Sequence, residues 1–205
     1  TSNTLIERSG AKTALVTTEG FADILEMGRE SRYDVYDLFL ELPAPLVARE
    51  YRFEVPERIL ANGELLSSID GEAVRLVAEK LISEDIESVA VCFLHAYRNP
   101  THERQAKDLL RDAGYEGPIL LSSDVCPEIR EYERAATTVA NAYLSPRMVS
   151  YLRNFETRLR KASIDAPFQL FSSYGGRLTV HAAERRPVEM LECGGAAGVM
   201  VAAAM

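Results

Sequence analysis

DVCPEIREYERAATTVANAYLSPRMVSYLRNFETRL, residues 124–159, is the stretch that decides the fold, because it has the pattern of one long helix. Residues 135–146 within it carry no charge, although 26% of the whole chain is charged. An exposed helix of this length normally carries charged residues along its outer face. We therefore expect a helix over about 124–161 that is covered on both sides, as at a seam between two layers or lobes.

Two faces of this predicted helix differ in character. Its apolar side chains recur at helical spacing: Tyr132, Ala136, Val139 and Tyr143. The polar face repeats that spacing: Arg130, Arg134, Thr137 and Asn141. Because Thr137 and Asn141 lie in the uncharged part, we expect both to be buried. Pro127 suits a first turn, whereas Pro146 removes an interior hydrogen bond and predicts a kink or a break.

Composition limits the class of protein. The formal net charge is −8 and no basic cluster is present, which argues against a nucleic-acid partner. No apolar run approaches the roughly 20 residues that cross a bilayer. Cys92, Cys126 and Cys193 form no CxxC pair, and neither they nor the three histidines have metal-ligand spacing. These features predict a cytoplasmic protein with reduced thiols, no membrane partner and no metal site built from its own residues.

The rest of the chain predicts an α/β fold with a mostly parallel sheet and flanking helices. Residues 88–94 (SVAVCFL) are apolar on both faces, as in a buried parallel strand, and residues 118–121 form the next strand. A helix over 99–113 separates them, which makes a βαβ unit. We expect a boundary near Ser123, which divides an α/β region, 1–123, from a second domain, 124–205. Further strands are expected at 167–171 and 188–191.

Histidines and glycine turns supply the candidate site. His95 ends the buried strand, where ligands of such sheets collect, although it could simply hydrogen-bond a neighbouring loop. His102, in a first helical turn, and His181 are expected at the surface.

Two glycine-containing segments could bind an anion through backbone N–H groups. The first is a turn containing Ser173, Gly175 and Gly176, and the second begins the last helix with Gly194, Gly195 and Gly198. The alternatives are a plain turn and tight helix packing. Since each segment follows a predicted strand, we expect the two to lie close together on one side of the sheet.

EYERAATTVANAYLSP, residues 131–146, followed by a Tyr-Leu helix, resembles the hydantoinase A / 5-oxoprolinase family. Similar motifs extend along nearly the whole chain: 1–8, 13–21, 89–103, 128–146 and 194–199. The family comprises ATP-dependent enzymes that open cyclic amides such as hydantoins and 5-oxoproline. The resemblance implies an actin-like (ribonuclease H-like) ATPase fold, ATP and Mg²⁺ as cofactors, and a hydantoinase B-type subunit or domain as partner.

The resemblance also assigns the domains and the candidate residues. Residues 1–123 correspond to the end of the hydantoinase A N-terminal domain, and 124–205 to the start of its core domain. ATP is expected at the two glycine segments. The candidates for the substrate cleft are Asn3, His95, Thr137 and Asn141. No catalytic residue is predicted, and the substrate could be a cyclic amide or a ketone-type molecule.

Three positions depart from the family pattern. Tyr174 stands where the family has Asn or Asp, Cys193 replaces Ser, and Gly195 replaces Pro. The leading hypothesis, which rests on the resemblance, is an internal fragment of an ATP-dependent cyclic-amide hydrolase. We expect the fragment to be inactive by itself because it lacks both Asp-Gly-Gly-Thr phosphate loops. The alternatives are a non-catalytic scaffold that retains the fold, and a related phosphotransferase.

Overall fold

A computed structural model describes residues 1–29, 34 and 36–204 of the chain. The described residues form two compact units. One is Lys12–Val139, and the other combines Thr1–Ala11 with the described residues from Ala140 onward. The predicted boundary near Ser123 is a separate proposal about family domains and stays a prediction.

The elements alternate in the order expected of an α/β protein. The helices are α1 Ser2–Ile6, α2 Ile24–Met27, α3 Gly71–Ser83, α4 Thr101–Asp112, α5 Ser122–Val125, α6 Glu131–Lys161, α7 Val180–Arg185 and α8 Cys193–Ala204. The strands are β1 Thr13–Thr18, β2 Arg52–Val55, β3 Arg58–Ile59, β4 Leu65–Ser67, β5 Ser88–Cys92, β6 Ile119–Leu121, β7 Leu170–Phe171 and β8 Arg177–Leu178. No helix among these is long and apolar enough to cross a membrane.

A parallel sheet forms the centre of the Lys12–Val139 unit, with strand order β2-β1-β5-β6. Every residue of β1 and β5 is buried, as the apolar run at 88–94 predicts for β5. Helices α3 and α4 contribute Val77, Leu81 and Leu110 to the core that covers the strands. The predicted α/β class, with a mostly parallel sheet and flanking helices, is confirmed.

The long helix begins later than its sequence pattern predicts. Residues 122–125 form the separate helix α5, and α6 starts only at Glu131. Arg130 between them has φ 82°, a left-handed conformation that a continuing right-handed helix does not allow. Pro146 lies inside α6 without ending it, so a break there is excluded, and the alternative of a kink stays a prediction.

The second unit contains a hairpin in place of further parallel strands. Strands β7 and β8 pair antiparallel, and a 3-10 turn occupies Pro187–Met190 where a strand was predicted. Proline lacks the N–H that a strand ladder uses and suits the first position of a helical turn. A small core holds the unit together, formed by Met148, Leu152, Ala183 and Met190.

Candidate functional site

Asn141 fixes the chain segment that leads to the last helix. It is 0% exposed on α6, which confirms the predicted burial, whereas Thr137 is half-buried. The Asn141 amide donates to the carbonyl oxygen of Arg185 at 3.0 Å and accepts from the backbone N–H of Val188 at 3.1 Å. Both hydrogen-bonding ends of the side chain are thus engaged by backbone, which makes Asn141 a positioning residue.

The glycine turn after β7 holds the same segment. The backbone N–H of Ser173 donates to the carbonyl oxygen of Glu189 at 2.7 Å. The Ser173 hydroxyl contacts the carbonyl oxygens of Glu189 and Leu191. Gly175 has φ 80°, a left-handed conformation that glycine adopts without the steric penalty of other residues. The turn therefore packs against the approach to α8, and the hydroxyl of Ser173 has a structural role.

The beginning of the chain lies against this segment too. The Thr1 hydroxyl donates to the carbonyl oxygen of Met190 at 2.9 Å, and the backbone N–H of Glu192 donates to the Ser2 hydroxyl at 3.1 Å. Asn3, one residue further along α1, is exposed. Side chains from α1, from α6 and from the glycine turn thus all form hydrogen bonds with the backbone of residues 185–192.

The two glycine segments lie close together, as predicted. Ser173 contacts Leu191, and Gly194 follows Leu191 by three Cα–Cα steps of about 3.8 Å each. A Cβ atom added to Gly175 would stand 3.3 Å from the sulfur of Met200 on α8. The location differs from the prediction, because the segments adjoin the β7–β8 hairpin and the Pro187–Met190 turn.

The start of α8 is open. Gly194, Gly195 and Gly198 are exposed, and apart from their chain neighbours and the backbone of α8 itself, no described atom lies within 4 Å of a Cβ added to any of them. Helix packing within the described chain therefore does not explain these glycines. Exposed first-turn N–H groups and the positive end of the helix dipole together favour an anion.

A second polar centre lies at the carboxyl ends of the parallel strands in the Lys12–Val139 unit. His102 is buried here, so its predicted surface position is wrong; His181 is exposed, as expected. The His102 Nδ1 atom lies 2.6 Å from a carboxylate oxygen of Glu57. A carboxylate only accepts, so Nδ1 carries the proton of this hydrogen bond. Glu57 is distant in sequence, and for that reason helical position alone gave the wrong environment.

Glu103 and Arg134 complete this centre. One Glu103 oxygen accepts from the backbone N–H of Phe93 at 3.2 Å and from the Ser122 hydroxyl. The other accepts from the backbone N–H of Ser123 at 2.9 Å. Arg134 donates to the carbonyl oxygen of Phe93 at 2.6 Å and to the Ser122 hydroxyl at 3.1 Å. Burial raises the pKa of the Glu103 carboxyl, and these hydrogen bonds partly oppose that rise.

Cys92 lies within this buried region at the end of β5. Burial raises the pKa of its thiol to about 11. Thiolate is the reactive form of cysteine, so this residue is inert near neutral pH and belongs to the core.

Sequence analysis missed Glu57, Glu103 and Arg134 as members of a polar centre. Charged residues are usually solvated, and the partners that bury these three come from separate elements. The one local signal is the sequence His102-Glu103 at the start of a helix, just after the buried strand. His95 follows that strand as predicted and is half-buried, with its ring 6.0 Å from the ring of Tyr97.

The described residues fit a phosphate group better than a metal ion. Gly194 and Gly195 lie in the first turn of α8 and offer backbone N–H groups, and Gly198 leaves the adjacent helix surface open. Across residues 1–29, 34 and 36–204, no group of three or more His, Cys, Asp or Glu side chains could hold a metal ion. Any Mg²⁺ would therefore need ligands from the nucleotide phosphates, water or residues beyond this set.

Family comparisons cover both parts of the chain. The hydantoinase/oxoprolinase N-terminal region matches residues 1–114, and the hydantoinase/oxoprolinase family matches residues 134–205. Caprolactamase subunit alpha of Pseudomonas jessenii is 32% identical over 98% of this chain and 30% of its own length. The 5-oxoprolinase of Saccharomyces cerevisiae is 31% identical over 85% of this chain and 15% of its own length. The chain thus spans less than a third of these relatives.

Solved structures share the fold. The crystal structure of the ATP-dependent caprolactamase superposes with a TM-score of 0.89 at 32% identity. A nucleotide-free acetone carboxylase, described in the context of ATP-dependent acetone carboxylation, superposes with a TM-score of 0.84 at 25% identity. Each match covers 98% of this chain and 30% of the solved chain. The predicted actin-like ATPase fold is confirmed by these neighbours.

Proposed function

This chain belongs to the hydantoinase/oxoprolinase family, and we propose that it is part of an ATP-dependent enzyme that opens a cyclic amide such as a hydantoin or 5-oxoproline. Two relatives support this proposal, because a caprolactamase and a 5-oxoprolinase both act on cyclic amides by name. The caprolactamase is also ATP-dependent by name.

The observation that carries the proposal is the open glycine start of α8. Its glycines at 194, 195 and 198 leave room for a group to approach the backbone. The turn at 173–176 and the side chain of Asn141 hold the approach to this helix in place. A nucleotide phosphate suits such a helix start. When bound, ATP would supply activation of the amide carbonyl, which water then attacks to open the ring.

The four cleft candidates divide into two kinds. Asn3 is exposed and His95 and Thr137 are half-buried, so each retains surface that a substrate can contact. Asn141 is fully buried with both ends of its amide engaged, so we assign it the positioning of residues 185–188. Asn141 therefore acts on the site through the backbone.

The enzyme is proposed to work with a hydantoinase B-type subunit or domain in the cytoplasm, with Mg²⁺ bound together with ATP. The name of the caprolactamase relative, subunit alpha, supports a multi-subunit assembly. The reduced, widely separated cysteines support a cytoplasmic location.

A second candidate function is ATP-dependent carboxylation of a ketone. The observation that favours it is the likeness to the acetone carboxylase chain at a TM-score of 0.84. The departures from the family pattern at Tyr174, Cys193 and Gly195 instead favour a scaffold that has lost catalysis. Tyr174 is 88% exposed at the tip of the glycine turn, so its replacement of Asn or Asp changes the surface of the site.

The test uses the full-length protein with its partner subunit, ATP and Mg²⁺. Hydantoin, 5-oxoproline and caprolactam are supplied separately, and acetone is supplied with bicarbonate. We expect ring opening of a cyclic amide, measured by chromatography, and we expect it to be coupled to phosphate release. Phosphate release with acetone and bicarbonate alone would make the protein a carboxylase. A stable phosphorylated product from a sugar or acetate would make it a phosphotransferase, and no turnover of any kind would favour the scaffold.

A matched pair of variants tests the site itself. Gly198→Val places a branched side chain on the open face of α8, whereas Ala202→Val places the same side chain on an exposed position one turn later. We expect Gly198→Val to abolish ATP-dependent turnover and Ala202→Val to retain it. Equal activity of both variants would remove the start of α8 from the nucleotide site.

A further inference from the structure

The loop that follows β5 is held by buried polar side chains from several elements. It contains Phe93, Leu94 and His95, and it lies at the carboxyl end of a central strand of the parallel sheet. His95 has φ 55°, which a residue other than glycine rarely adopts. Such a conformation persists only where the surroundings enforce it.

One chain of hydrogen bonds fixes Leu94. Its backbone N–H donates to the Thr18 hydroxyl at 3.0 Å, and that hydroxyl donates to Glu57. The other Glu57 oxygen accepts from Nδ1 of His102 at 2.6 Å. These hydrogen bonds converge on the Glu57 carboxylate, which accepts from the Thr18 hydroxyl on one side and from His102 on the other.

Phe93 is fixed at both of its backbone polar groups. Glu103 accepts from its N–H at 3.2 Å, and Arg134 donates to its carbonyl oxygen at 2.6 Å. Two charged side chains, both almost fully buried, thus hold one peptide in place. Burying charge is unfavourable unless hydrogen bonds compensate for the lost solvent.

We propose that this network positions His95 for contact with the amide group of the substrate, with Thr18, Glu57, His102, Glu103 and Arg134 acting as positioning residues. The network immobilises the two residues before His95, while His95 itself is half-buried and so remains partly accessible. An imidazole offers both a donor and an acceptor, which suits an amide N–H and C=O. The identity of the ligand rests on the proposed function.

A double-mutant cycle in the full-length enzyme tests the coupling. Thr18→Val removes the hydroxyl at constant volume, Thr18→Ser keeps it, and His95→Ala removes the imidazole. We expect His95→Ala and Thr18→Val each to lower kcat/KM by roughly 10- to 100-fold, since small misplacements have effects of this size. The double variant should be no worse than His95→Ala, because Thr18 acts through His95. Thr18→Ser should restore most activity.

His181→Ala is the matched control, since it removes an exposed histidine from α7. We expect it to have wild-type kinetics. Multiplicative losses in the double variant would show that Thr18 acts independently of His95, and wild-type activity of His95→Ala would remove the substrate contact. Either result overturns the proposal.

Amide hydrogen exchange gives a readout that needs no turnover. Thr18→Val should speed exchange at Leu94, whose N–H donates to the Thr18 hydroxyl, by roughly 10-fold or more, and Thr18→Ser should not. If Thr18→Val folds poorly, the pair His102→Leu and His102→Asn replaces it, because the Asn amide nitrogen can substitute for Nδ1. Unchanged exchange at Leu94 overturns the network. Altered exchange in an enzyme that opens no ring would instead contradict the proposed function alone.

Discussion

At the scale of single residues, buried polar groups decide most of this architecture. Arg134 is 1% exposed, yet each part of its guanidinium has a partner. Nε donates to Ser122, Nη1 to the carbonyl oxygen of Glu128, and Nη2 to that of Phe93. The charge also lies 5.4 Å from the centre of the Tyr97 ring. Removing any one partner would leave a buried donor without hydrogen bonds, which is costlier than losing a surface contact.

Asn141 gives a prediction about stability. Asn141→Leu should lower the free energy of unfolding by about 1–3 kcal/mol, because the partly buried hydrogen bonds to the carbonyl oxygen of Arg185 and from the N–H of Val188 are lost. Chemical denaturation measures the change. The control is Asn3→Leu on exposed α1, which should stay within about 0.5 kcal/mol of wild type. Equal effects of the two substitutions would contradict the assigned role of Asn141.

Glu103 gives a prediction about pH. Its pKa in the folded chain is raised by burial above the ordinary value of 4.5. The folded state therefore retains this proton at a pH where the unfolded state has lost it. The resulting contribution to stability is complete below pH 4.5 and is lost as the pH rises through the folded pKa.

Unfolding free energies of wild type and Glu103→Gln, measured from pH 4 upward, isolate this contribution. The variant should lack the downward slope, because an amide does not titrate. It should also be less stable by about 1–3 kcal/mol where the wild-type carboxylate accepts several hydrogen bonds, since the amide nitrogen accepts none. Parallel pH curves for the two proteins would refute the assignment to Glu103.

At the scale of elements, the surroundings of two glycines distinguish a packed surface from an open one. A Cβ added to Gly10 would lie 2.1 Å from a ring atom of Tyr143, whereas one added to Gly198 would meet no described atom within 4 Å. The same residue type thus permits close packing before β1 and leaves the start of α8 free. A ligand or another part of the protein can therefore approach the start of α8, but not the backbone at Gly10.

Two alanine substitutions test that contrast. Gly10→Ala should lower the free energy of unfolding by about 1–3 kcal/mol through overpacking against Tyr143. Gly198→Ala should raise it by up to about 1 kcal/mol, because alanine favours the helix interior and has room. Thermal melts of the two variants are the measurement. Loss of stability in Gly198→Ala would mean that the open face of α8 is covered in solution.

At the scale of the whole molecule, this chain represents about 30% of the length of caprolactamase subunit alpha. Phosphoryl transfer relies on positioned phosphate contacts and on charge neutralisation by metal ions. The described residues offer an open helix start but no cluster of three or more metal ligands. Under the proposed function, the chain would therefore supply only one part of the arrangement that such chemistry requires.

We accordingly expect the isolated chain not to hydrolyse ATP at a useful rate. Loss of a single oxyanion donor lowers rates by roughly 10²–10³-fold, so an incomplete phosphate site should show no turnover above background. A phosphate-release assay on the purified chain, beside the full-length protein, measures this. Mg²⁺-dependent turnover by the chain at the full-length rate would show that residues 1–205 contain a complete site.

The sequence by itself determined the α/β class, the buried strand at 88–92 and the end of the long helix at Lys161. These follow from local periodicity, because a buried strand needs apolar side chains on both faces and a helix repeats every 3.6 residues. The motifs of residues 131–146 also indicated the family, which the comparisons confirm.

Only the tertiary structure decided where polar residues lie. Glu57 and His102 are 45 positions apart, and Glu103 and Ser122 are 19 apart, so no local pattern records that they meet. The break before Glu131 was likewise missed, because it depends on a left-handed Arg130. A buried charge is tolerated only when distant segments supply its hydrogen bonds. Its environment is therefore a property of the folded chain and not of its neighbours in sequence.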